Sequence, residues 1–288
     1  MKVLCLGGTG TVGSEVVARL AARGIAVRVM TRSDASAGAG ADGVERVRGD
    51  LEDPGSLPPV FDGVDRVHLL TPLHPREAEL GAAAVSAACE AGVERVVFHS
   101  VHRVDECAHI PHFASKIEIQ RALEASGLPW VTIEPNSYMQ NDLHLREPIT
   151  EMQIYPLPIG PIGVSRVDVR DIADATVTAL TEDGHEGIRY PVAGPRPWTG
   201  EEVADAWGEA LDGTIVYVGD DLDMWEEGAS AMMPAWLVAD LRIMWAHFLE
   251  RGLLATPEDL ALQARVLGRE PRRFEDFVRE TIAAWTTE

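Results

Sequence analysis

The sequence predicts an α/β protein with a doubly wound parallel sheet and a smaller, mainly helical C-terminal lobe. In the first half of the 288-residue chain, short apolar runs alternate with helical patterns. These runs are apolar almost without interruption, as expected for parallel strands that helices cover on both faces. Hydrophobic residues make up 46% of the chain and charged residues 25%, a balance that excludes disordered and fibrous architectures.

The first 135 residues alternate regularly between strands and helices. A short apolar run is followed by a glycine turn and by a segment in which Val16, Val17 and Leu20 recur at helical spacing. Right-handed crossovers between successive parallel strands then place helices on both faces of one sheet. The predicted strands are 2–6, 25–30, 44–49, 65–70, 93–100 and 129–135, and two further helices are predicted at 76–92 and 112–126.

The pattern changes after the last of these strands. Residues 136–163 are rich in proline and glycine, and we expect a loop or a short strand pair there. A helix at 171–180 and a strand at 188–193 follow. We therefore expect residues 164–193 to return to the sheet domain.

Most of the C-terminal lobe, residues 136–288, is predicted to be helical. Thr199 and Glu202 have the spacing of a capping box. Thr256 followed by Pro257 is typical of a helix start. The remaining predicted helices are 233–251 and 271–285, and the sheet domain is predicted over 1–135.

The charge of the chain restricts its partners. Lys and Arg total 25 against 46 Asp and Glu, a net charge of −21, which repels nucleic acid and anionic membranes. There is no membrane-spanning apolar run and no signal-peptide pattern, so we expect a cytoplasmic protein without membrane or nucleic-acid partners. Cys5, Cys89 and Cys107 form no CxxC motif, which fits a reducing compartment.

A glycine motif lies directly between the first strand and the first helix. Its GxxGxxG spacing brings backbone N–H groups and a helix N-terminus to the place where the diphosphate of a dinucleotide binds. Side chains on these glycines would block the approach of the phosphates. We therefore predict a dinucleotide site, lined in this turn by Gly7, Thr9, Gly10, Thr11, Val12 and Gly13.

The end of the second predicted strand indicates which dinucleotide binds. NAD enzymes carry an acidic residue about 20 positions after the glycines, where it bonds the ribose 2′-OH. Here Thr31 and Arg32 occupy that place, and a guanidinium suits the 2′-phosphate of NADP(H). The alternative is a solvated arginine that pairs with Asp34. We predict NADP(H).

Six segments resemble the NmrA-like branch of the atypical short-chain dehydrogenases/reductases. They are GGTGTVG (7–13), MTR (30–32), GDL (49–51), HFASK (112–116), IEPNSYMQN (133–141) and VDVRDIADA (167–175). The resemblance covers nearly the whole chain. It implies a Rossmann domain that binds NADP(H) and a C-terminal lobe that forms a substrate cleft. The family includes NADPH-dependent reductases of quinones, dyes and plant phenolics, and also regulators that bind the dinucleotide without turnover.

The resemblance also implies roles for individual residues along the cofactor. Asp50 and Leu51 are expected near the adenine, and Pro135 and Asn136 beside the nicotinamide. Glu134 stands where relatives often carry arginine. The residues expected along the rest of the cofactor are Leu70, Thr71, Pro72, Ser100 and Lys116.

The catalytic residues differ from those of typical short-chain reductases, which use a Tyr-x-x-x-Lys pair and an upstream serine. This chain has His112 four residues before Lys116, on one face of the predicted helix, and Ser100 at a strand end. By resemblance, Lys116 holds the nicotinamide ribose. His112 is either the proton donor or a structural residue. Tyr138 is a rival donor, and a quinone or dye could instead take its protons from water.

Two other clusters have less specific patterns. Several metal-ligating side chains lie close together in the sequence, but their spacing is not that of a zinc site, so we predict no metal. They are His99, His102, Cys107, His109 and His112.

In the lobe, Trp225 with neighbouring methionines could form an aromatic pocket. The helical spacing of the tryptophans also fits core packing or a subunit contact, which leaves a homodimer open. The residues expected to contact the substrate are Tyr138, Met139, Asn141 and Trp225.

The sequence thus favours an NADPH-dependent oxidoreductase that reduces a small aromatic or conjugated carbonyl or a quinone-type substrate. A regulatory protein that senses NADP(H) without turnover is the first alternative. A redox-neutral enzyme of the epimerase type that retains NADP is the second.

Overall fold

The computed structural model describes residues 1–33, 38–39 and 43–286. The chain divides into two compact units. The first contains Met1–Pro135, Val169–Pro191 and Arg265–Leu267, and the second contains Asn136–Asp168, Val192–Ala264 and Gly268–Glu288. The strands are β1 (Lys2–Cys5), β2 (Ala26–Thr31), β3 (Gly38–Ala39), β4 (Glu45–Arg48), β5 (Arg66–Leu69), β6 (Arg95–His99), β7 (Trp130–Pro135), β8 (Ile154–Tyr155), β9 (Ile188–Val192) and β10 (Val216–Tyr217).

Helices account for much of the remaining described chain. They are α1 (Thr11–Ala22), α2 (Pro58–Phe61), α3 (Glu77–Ala91), α4 (Pro111–Ala125), α5 (Arg146–Thr150), α6 (Val169–Thr181), α7 (Gly200–Ala210), α8 (Leu222–Ser230), α9 (Ala235–Arg251), α10 (Pro257–Leu267) and α11 (Phe274–Trp285). Among the helices of the described ranges, none has both the length and the apolar character that a bilayer crossing requires.

The first unit is built on a sheet with the strand order β3-β4-β2-β1-β5-β6-β7-β9. The pairs β1–β2, β2–β4, β1–β5, β5–β6 and β6–β7 are parallel, and β3 adds a short antiparallel edge to β4. Strand order reverses between β1 and β5, which opens a crevice at their carboxyl ends. The predicted doubly wound fold is confirmed.

Helices on both faces bury the sheet of the first unit. On one face, α3 and α4 approach closely at Gly81, where any side chain would overlap Ile119. On the other face, α6 is tied to the sheet by two arginines near strand starts. Arg66 donates to the Leu180 carbonyl at 2.6 Å and Arg95 donates to the Ala179 carbonyl at 2.9 Å. These bonds satisfy carbonyls of the last turn of α6, which have no partner within the helix.

The second unit contains the predicted helices and several elements that were not predicted. A capping box opens α7 at Thr199, as the sequence indicates, and α10 begins at the predicted N-cap Thr256, which forms a capping box with Asp259. Residues 136–163 form a 3₁₀ segment at Met139–Leu145, then α5 and β8. Strand β8 pairs with β10 in parallel. Helix α8 has Asp221 as its N-cap, where the side chain accepts from two backbone N–H groups.

A buried ion pair organises the second unit. Arg166 and Asp142 are fully buried and form a bidentate pair, with Nη1 2.9 Å from Oδ2 and Nη2 2.6 Å from Oδ1. The Tyr155 hydroxyl and the Trp207 indole N–H also donate to this carboxylate, at 2.9 and 3.1 Å. Burial tends to lower the pKa of Arg166, but Asp142 and Tyr155 together outweigh that effect and raise it. Arg166 also donates to the Tyr138 carbonyl at 3.1 Å, so the pair fixes the backbone there.

Candidate functional site

The three glycines of the first turn are required for different reasons. Gly7 has φ +73°, a left-handed conformation that favours glycine. At Gly13, a Cβ would overlap the Gly7 carbonyl oxygen, so glycine lets α1 pack tightly against the turn. Gly10 has an ordinary φ of −85°, and its Cβ would meet only the Gly7 carbonyl oxygen, at 3.5 Å. Packing within the protein therefore does not require glycine at position 10, and a side chain there would have room.

The same turn provides an electropositive environment. Gly10 is the N-cap of α1, a helix of 12 residues whose first turn carries no acidic side chain. Its backbone N–H donates to the Gly7 carbonyl at 3.0 Å, which closes the turn. The first N–H groups of a helix lack partners within it and carry a partial positive charge. A diphosphate fits this arrangement.

The ends of β2 and β4 carry the residues expected at the adenosine. Thr31 is buried and donates to the Ser33 carbonyl at 3.2 Å, while Arg32 is exposed. Asp34, the alternative partner of Arg32, lies outside the described residues. After β4, Asp50 Oδ1 accepts from the Glu52 N–H at 3.0 Å. Leu51 is buried beside it. A basic and not an acidic side chain is thus presented directly after β2.

Lys116 lies in a buried polar cluster after β5. Its Nζ donates to Thr71 Oγ1 at 2.9 Å and forms an ion pair with Glu77. Thr71 Oγ1 lies 2.5 Å from Glu77 Oε1, and Ser115 Oγ donates to Glu77 Oε2 at 2.7 Å. Sequence reasoning named Thr71 and Lys116 but missed Glu77. Its signal was an acidic residue at the first position of an alanine-rich helix, a place where glutamate is common on any surface helix.

The other residues expected near the nicotinamide lie around this cluster or on neighbouring strand ends. Ser100 follows β6, is buried, and donates its backbone N–H to the Ile133 carbonyl at 2.8 Å. His112 is half-buried in the first turn of α4, with its ring edge-on to Phe113 at 4.7 Å between centroids. The Leu70 side chain packs against Gly7, and Pro72 is exposed. Ser100, His112 and Lys116 therefore all lie at or beyond the carboxyl ends of parallel strands.

Glu134 has a clear partner in the first unit. It lies in β7, is largely buried, and accepts a hydrogen bond from Arg189 Nε. Arg189 also pairs with Asp105, with 2.8 Å between Nη1 and Oδ2. The glutamate at the position where relatives often carry arginine is therefore part of an ion-pair network that joins β9 to the segment after β6.

The segment that follows β7 belongs to the second unit. The Asn136 amide is buried and donates to the Leu253 carbonyl at 2.9 Å. Tyr138 is half-buried, Met139 is fully buried, and Asn141 is exposed. Trp225 is half-buried in α8 and meets Trp245 edge-on, with 6.3 Å between ring centroids. The role of these residues toward a substrate stays a prediction.

Several histidines and cysteines also lie near these strand ends. Within the described ranges, no group of three or more His, Cys, Asp or Glu side chains could hold a metal ion. None of the three cysteines, all of which lie in the described ranges, forms a disulfide. Burial raises the pKa of Cys5 to about 12 and that of Cys107 to about 11, whereas Cys89 is exposed.

Two further histidines are buried within the sheet. His68 in β5 is fully buried, and neither ring nitrogen has a hydrogen-bond partner. His99 at the end of β6 lies 6.3 Å away, measured between ring centroids. Burial lowers the pKa of His68 to about 4. Burial, helped by His68 and Lys116, also lowers the pKa of His99. The folded protein therefore keeps both rings neutral near neutral pH.

We expect a change from pH 7 to pH 5 to destabilise the folded protein by about 2 kcal/mol through His68 alone. The pKa of His68 is about 4 in the folded protein against 6.5 for an unperturbed ring, so below pH 6.5 the unfolded chain binds a proton that the folded state excludes. The stability contributed by the neutral ring is complete above pH 6.5 and is lost as the pH falls toward 4. Urea unfolding of wild type and His68→Leu at both pH values tests this. An equal pH dependence in the two proteins would contradict it.

The doubly wound sheet, the glycine turn with room for a ligand and the buried lysine define a Rossmann-type dinucleotide-binding protein. More particularly, the chain belongs to the NmrA-like family, whose family model matches residues 1–277. It is 35% identical to an NAD(P)H azoreductase of Xenophilus azovorans, over 98% of this chain and 99% of that protein. It is 31% identical to a (4-alkanoyl-5-oxo-2,5-dihydrofuran-3-yl)methyl phosphate reductase of Streptomyces griseus, over 99% of this chain and all of that protein.

Solved structures share the fold. The NADPH-dependent quinone oxidoreductase of Escherichia coli in complex with NADPH aligns with a TM-score of 0.86 and 21% identity, over 97% of this chain and 99% of that one. The negative transcriptional regulator NmrA in complex with NAD aligns with a TM-score of 0.80 and 18% identity, over 99% and 96% of the two chains. Enzymes and a regulator therefore share this architecture.

Proposed function

We propose that this protein is an NADPH-dependent reductase of a small aromatic or conjugated carbonyl or a quinone-type compound. The observation that carries the proposal is Gly10, a glycine that the protein's own packing does not require, at the electropositive start of α1. Arg32 after β2 supports NADP(H) as the dinucleotide. The azoreductase and the phosphate reductase described above are named as reductases and align over nearly their full length, which supports turnover.

Different residues at the carboxyl ends of the strands would bind different parts of NADPH. The N–H groups at the start of α1 would hold the diphosphate, and Arg32 would hold the 2′-phosphate. Asp50 and Leu51 would lie at the adenine. Leu70, Thr71, Pro72, Ser100, Pro135 and Asn136 would follow the cofactor toward the nicotinamide, with Lys116 at the ribose. When bound, NADPH supplies a hydride.

Reduction of a carbonyl also needs a proton donor, because a proton follows the hydride. We propose His112 as the donor, since it lies one helical turn before Lys116 and an imidazole can donate near neutral pH. Tyr138 in the second unit is the competing donor. We further propose that Tyr138, Met139, Asn141 and Trp225 contact the substrate. A quinone or an azo dye could take its protons from water, in which case neither donor is essential.

The proposal is tested by titrating the protein with NADPH and then following NADPH consumption against quinones, enones, ketones and azo compounds. We expect sustained turnover of at least one class. Tight NADPH binding without consumption of any class would contradict the reductase and favour the regulatory alternative. The observation that favours that alternative is His112, which stands where typical short-chain reductases place their tyrosine.

Replacing Arg32 by alanine is expected to weaken NADPH binding by about 1.5–3 kcal/mol, the range for a hydrogen bond to a charged group. NADH lacks the 2′-phosphate, so its affinity should change little. Fluorescence titration of the wild type and Arg32→Ala with both cofactors measures the difference. Equal losses for the two cofactors would contradict the assignment of Arg32 to the 2′-phosphate.

A further inference from the structure

The carboxylate of Glu77 is the centre of the polar cluster after β5. Glu77 is 1% exposed, and three donors surround it. Oε1 accepts from Thr71 Oγ1 at 2.5 Å and from Lys116 Nζ, and Oε2 accepts from Ser115 Oγ at 2.7 Å. Lys116 is itself buried. The two charges compensate each other, and the hydroxyls complete the coordination of the carboxylate, as a buried ion pair requires.

Two features of the sequence bring this pair together. Glu77 is the first residue of α3, a helix of 15 residues, where the helix dipole favours a carboxylate. One turn later, Gly81 allows α3 to approach Ile119 of α4. Ser115 and Lys116 lie one turn before Ile119, so the close approach of the two helices places them beside Glu77.

The cluster restricts Lys116. An ammonium group has three N–H donors, and Thr71 and Glu77 use two of them. The Phe98 ring lies 6.0 Å from Nζ and covers a further side of the group. A lysine side chain is otherwise flexible, with a strongly hydrated charge that favours solvent. Pairing with a buried carboxylate therefore keeps Nζ inside the first unit, with one N–H remaining.

We propose that Glu77 is a positioning residue for dinucleotide binding: it holds the Lys116 ammonium beside Thr71 so that the third N–H is available to a ribose hydroxyl of NADPH. The inference rests on the proposed function, in which Lys116 meets that ribose. Glu77 itself does not touch the cofactor. Its effect on the cofactor passes through Lys116.

The test is a double-mutant cycle on NADPH affinity, measured by fluorescence titration. Glu77→Gln preserves the shape of the side chain but leaves the ammonium unpaired, and we expect NADPH binding to weaken about tenfold or more, the value of a lost charge-assisted hydrogen bond. Lys116→Met should weaken binding to a similar extent. In the Lys116→Met background, Glu77→Gln should have no additional effect, because the group through which it acts is absent.

The matched control is Glu186→Gln. Glu186 pairs with the buried Arg95 at the start of β6, so this change also removes a carboxylate from a buried cation of the same sheet, but at its amino edge. Glu186→Gln should reduce stability and leave NADPH affinity unchanged.

A second readout is the stability of the protein without cofactor. Lys116→Met strands the Glu77 carboxylate and should lower the urea midpoint, and adding Glu77→Gln should recover part of that loss.

Three results would overturn the proposal: normal NADPH affinity in Glu77→Gln, an equal further loss from Glu77→Gln when Lys116 is already methionine, or loss of affinity in the Glu186→Gln control as well. Failure of the proposed function would give a different experimental result. If the wild type binds NADPH but consumes none with any substrate, the reductase fails while the affinity cycle still decides the role of Glu77. Absence of NADPH binding by the wild type would overturn both.

Discussion

Replacing Gly10 by aspartate is expected to weaken NADPH binding more than about 100-fold while the fold stays intact. A side chain at position 10 would extend from the N-cap of α1 into the space left for the diphosphate, and its carboxylate would repel the phosphates. The folded protein itself tolerates the change. The backbone there has an ordinary φ of −85°, a Cβ has its nearest contact at 3.5 Å, and aspartate is a favourable N-cap residue.

Fluorescence titration with NADPH and a thermal unfolding curve separate the two effects. The dissociation constant should rise beyond measurement while the melting temperature stays at or above that of the wild type. Gly13→Ala is the contrasting control, because its Cβ would overlap the Gly7 carbonyl, and it should lower the melting temperature. If Gly10→Asp bound NADPH like the wild type, the diphosphate would not bind at this helix start.

Asp142→Ala is expected to destabilise the protein by about 3–5 kcal/mol, the range measured when one partner of a buried ion pair is removed. The change leaves the Arg166 guanidinium charged and buried, and Tyr155 and Trp207 lose the acceptor they share. Urea unfolding of the wild type and the variant measures the difference in free energy of unfolding.

The double variant Asp142→Leu with Arg166→Met is the control for this prediction. Apolar side chains of similar volume can replace a buried ion pair with little loss, so the double variant should be more stable than Asp142→Ala. A loss below about 1 kcal/mol in the single variant, the range of an exposed ion pair, would show that water reaches Arg166 when its partner is gone.

The fold was predictable because its signals are local. Continuous apolar runs identify strands that are buried on both faces, and a glycine turn after the first of them identifies the crevice edge. The capping box at Thr199 required only residues three positions apart, and the helix start at Thr256 required only the adjacent Pro257. Helix α8 was missed because its sequence is short and acidic, so that its apolar residues Leu222, Trp225 and Ala229 span only two turns.

The site was predictable only in part, because its decisive contacts join residues far apart in the chain. Glu77 and Lys116 are separated by 39 residues, and Asp142 and Arg166 by 24. The four-residue spacing from His112 and the family resemblance identified Lys116, and the resemblance alone identified Thr71. Neither signal could show that a buried carboxylate on another helix joins them, since that depends on the close approach at Gly81. Because acidic residues are common at helix starts, Glu77 has no distinguishing feature in the sequence.

Because the three thiols differ in exposure, the number of thiols that a reagent labels measures unfolding of the protein. Under native conditions a thiol reagent reaches Cys89, while Cys5 lies in β1 between two paired strands and Cys107 is buried. Burial raises the pKa of these two thiols to about 12 and about 11, so they carry almost no thiolate near neutral pH while they stay buried. Any label beyond one per chain therefore counts molecules whose structure has opened, and peptide mapping distinguishes opening at Cys107 from separation of the central strands at Cys5.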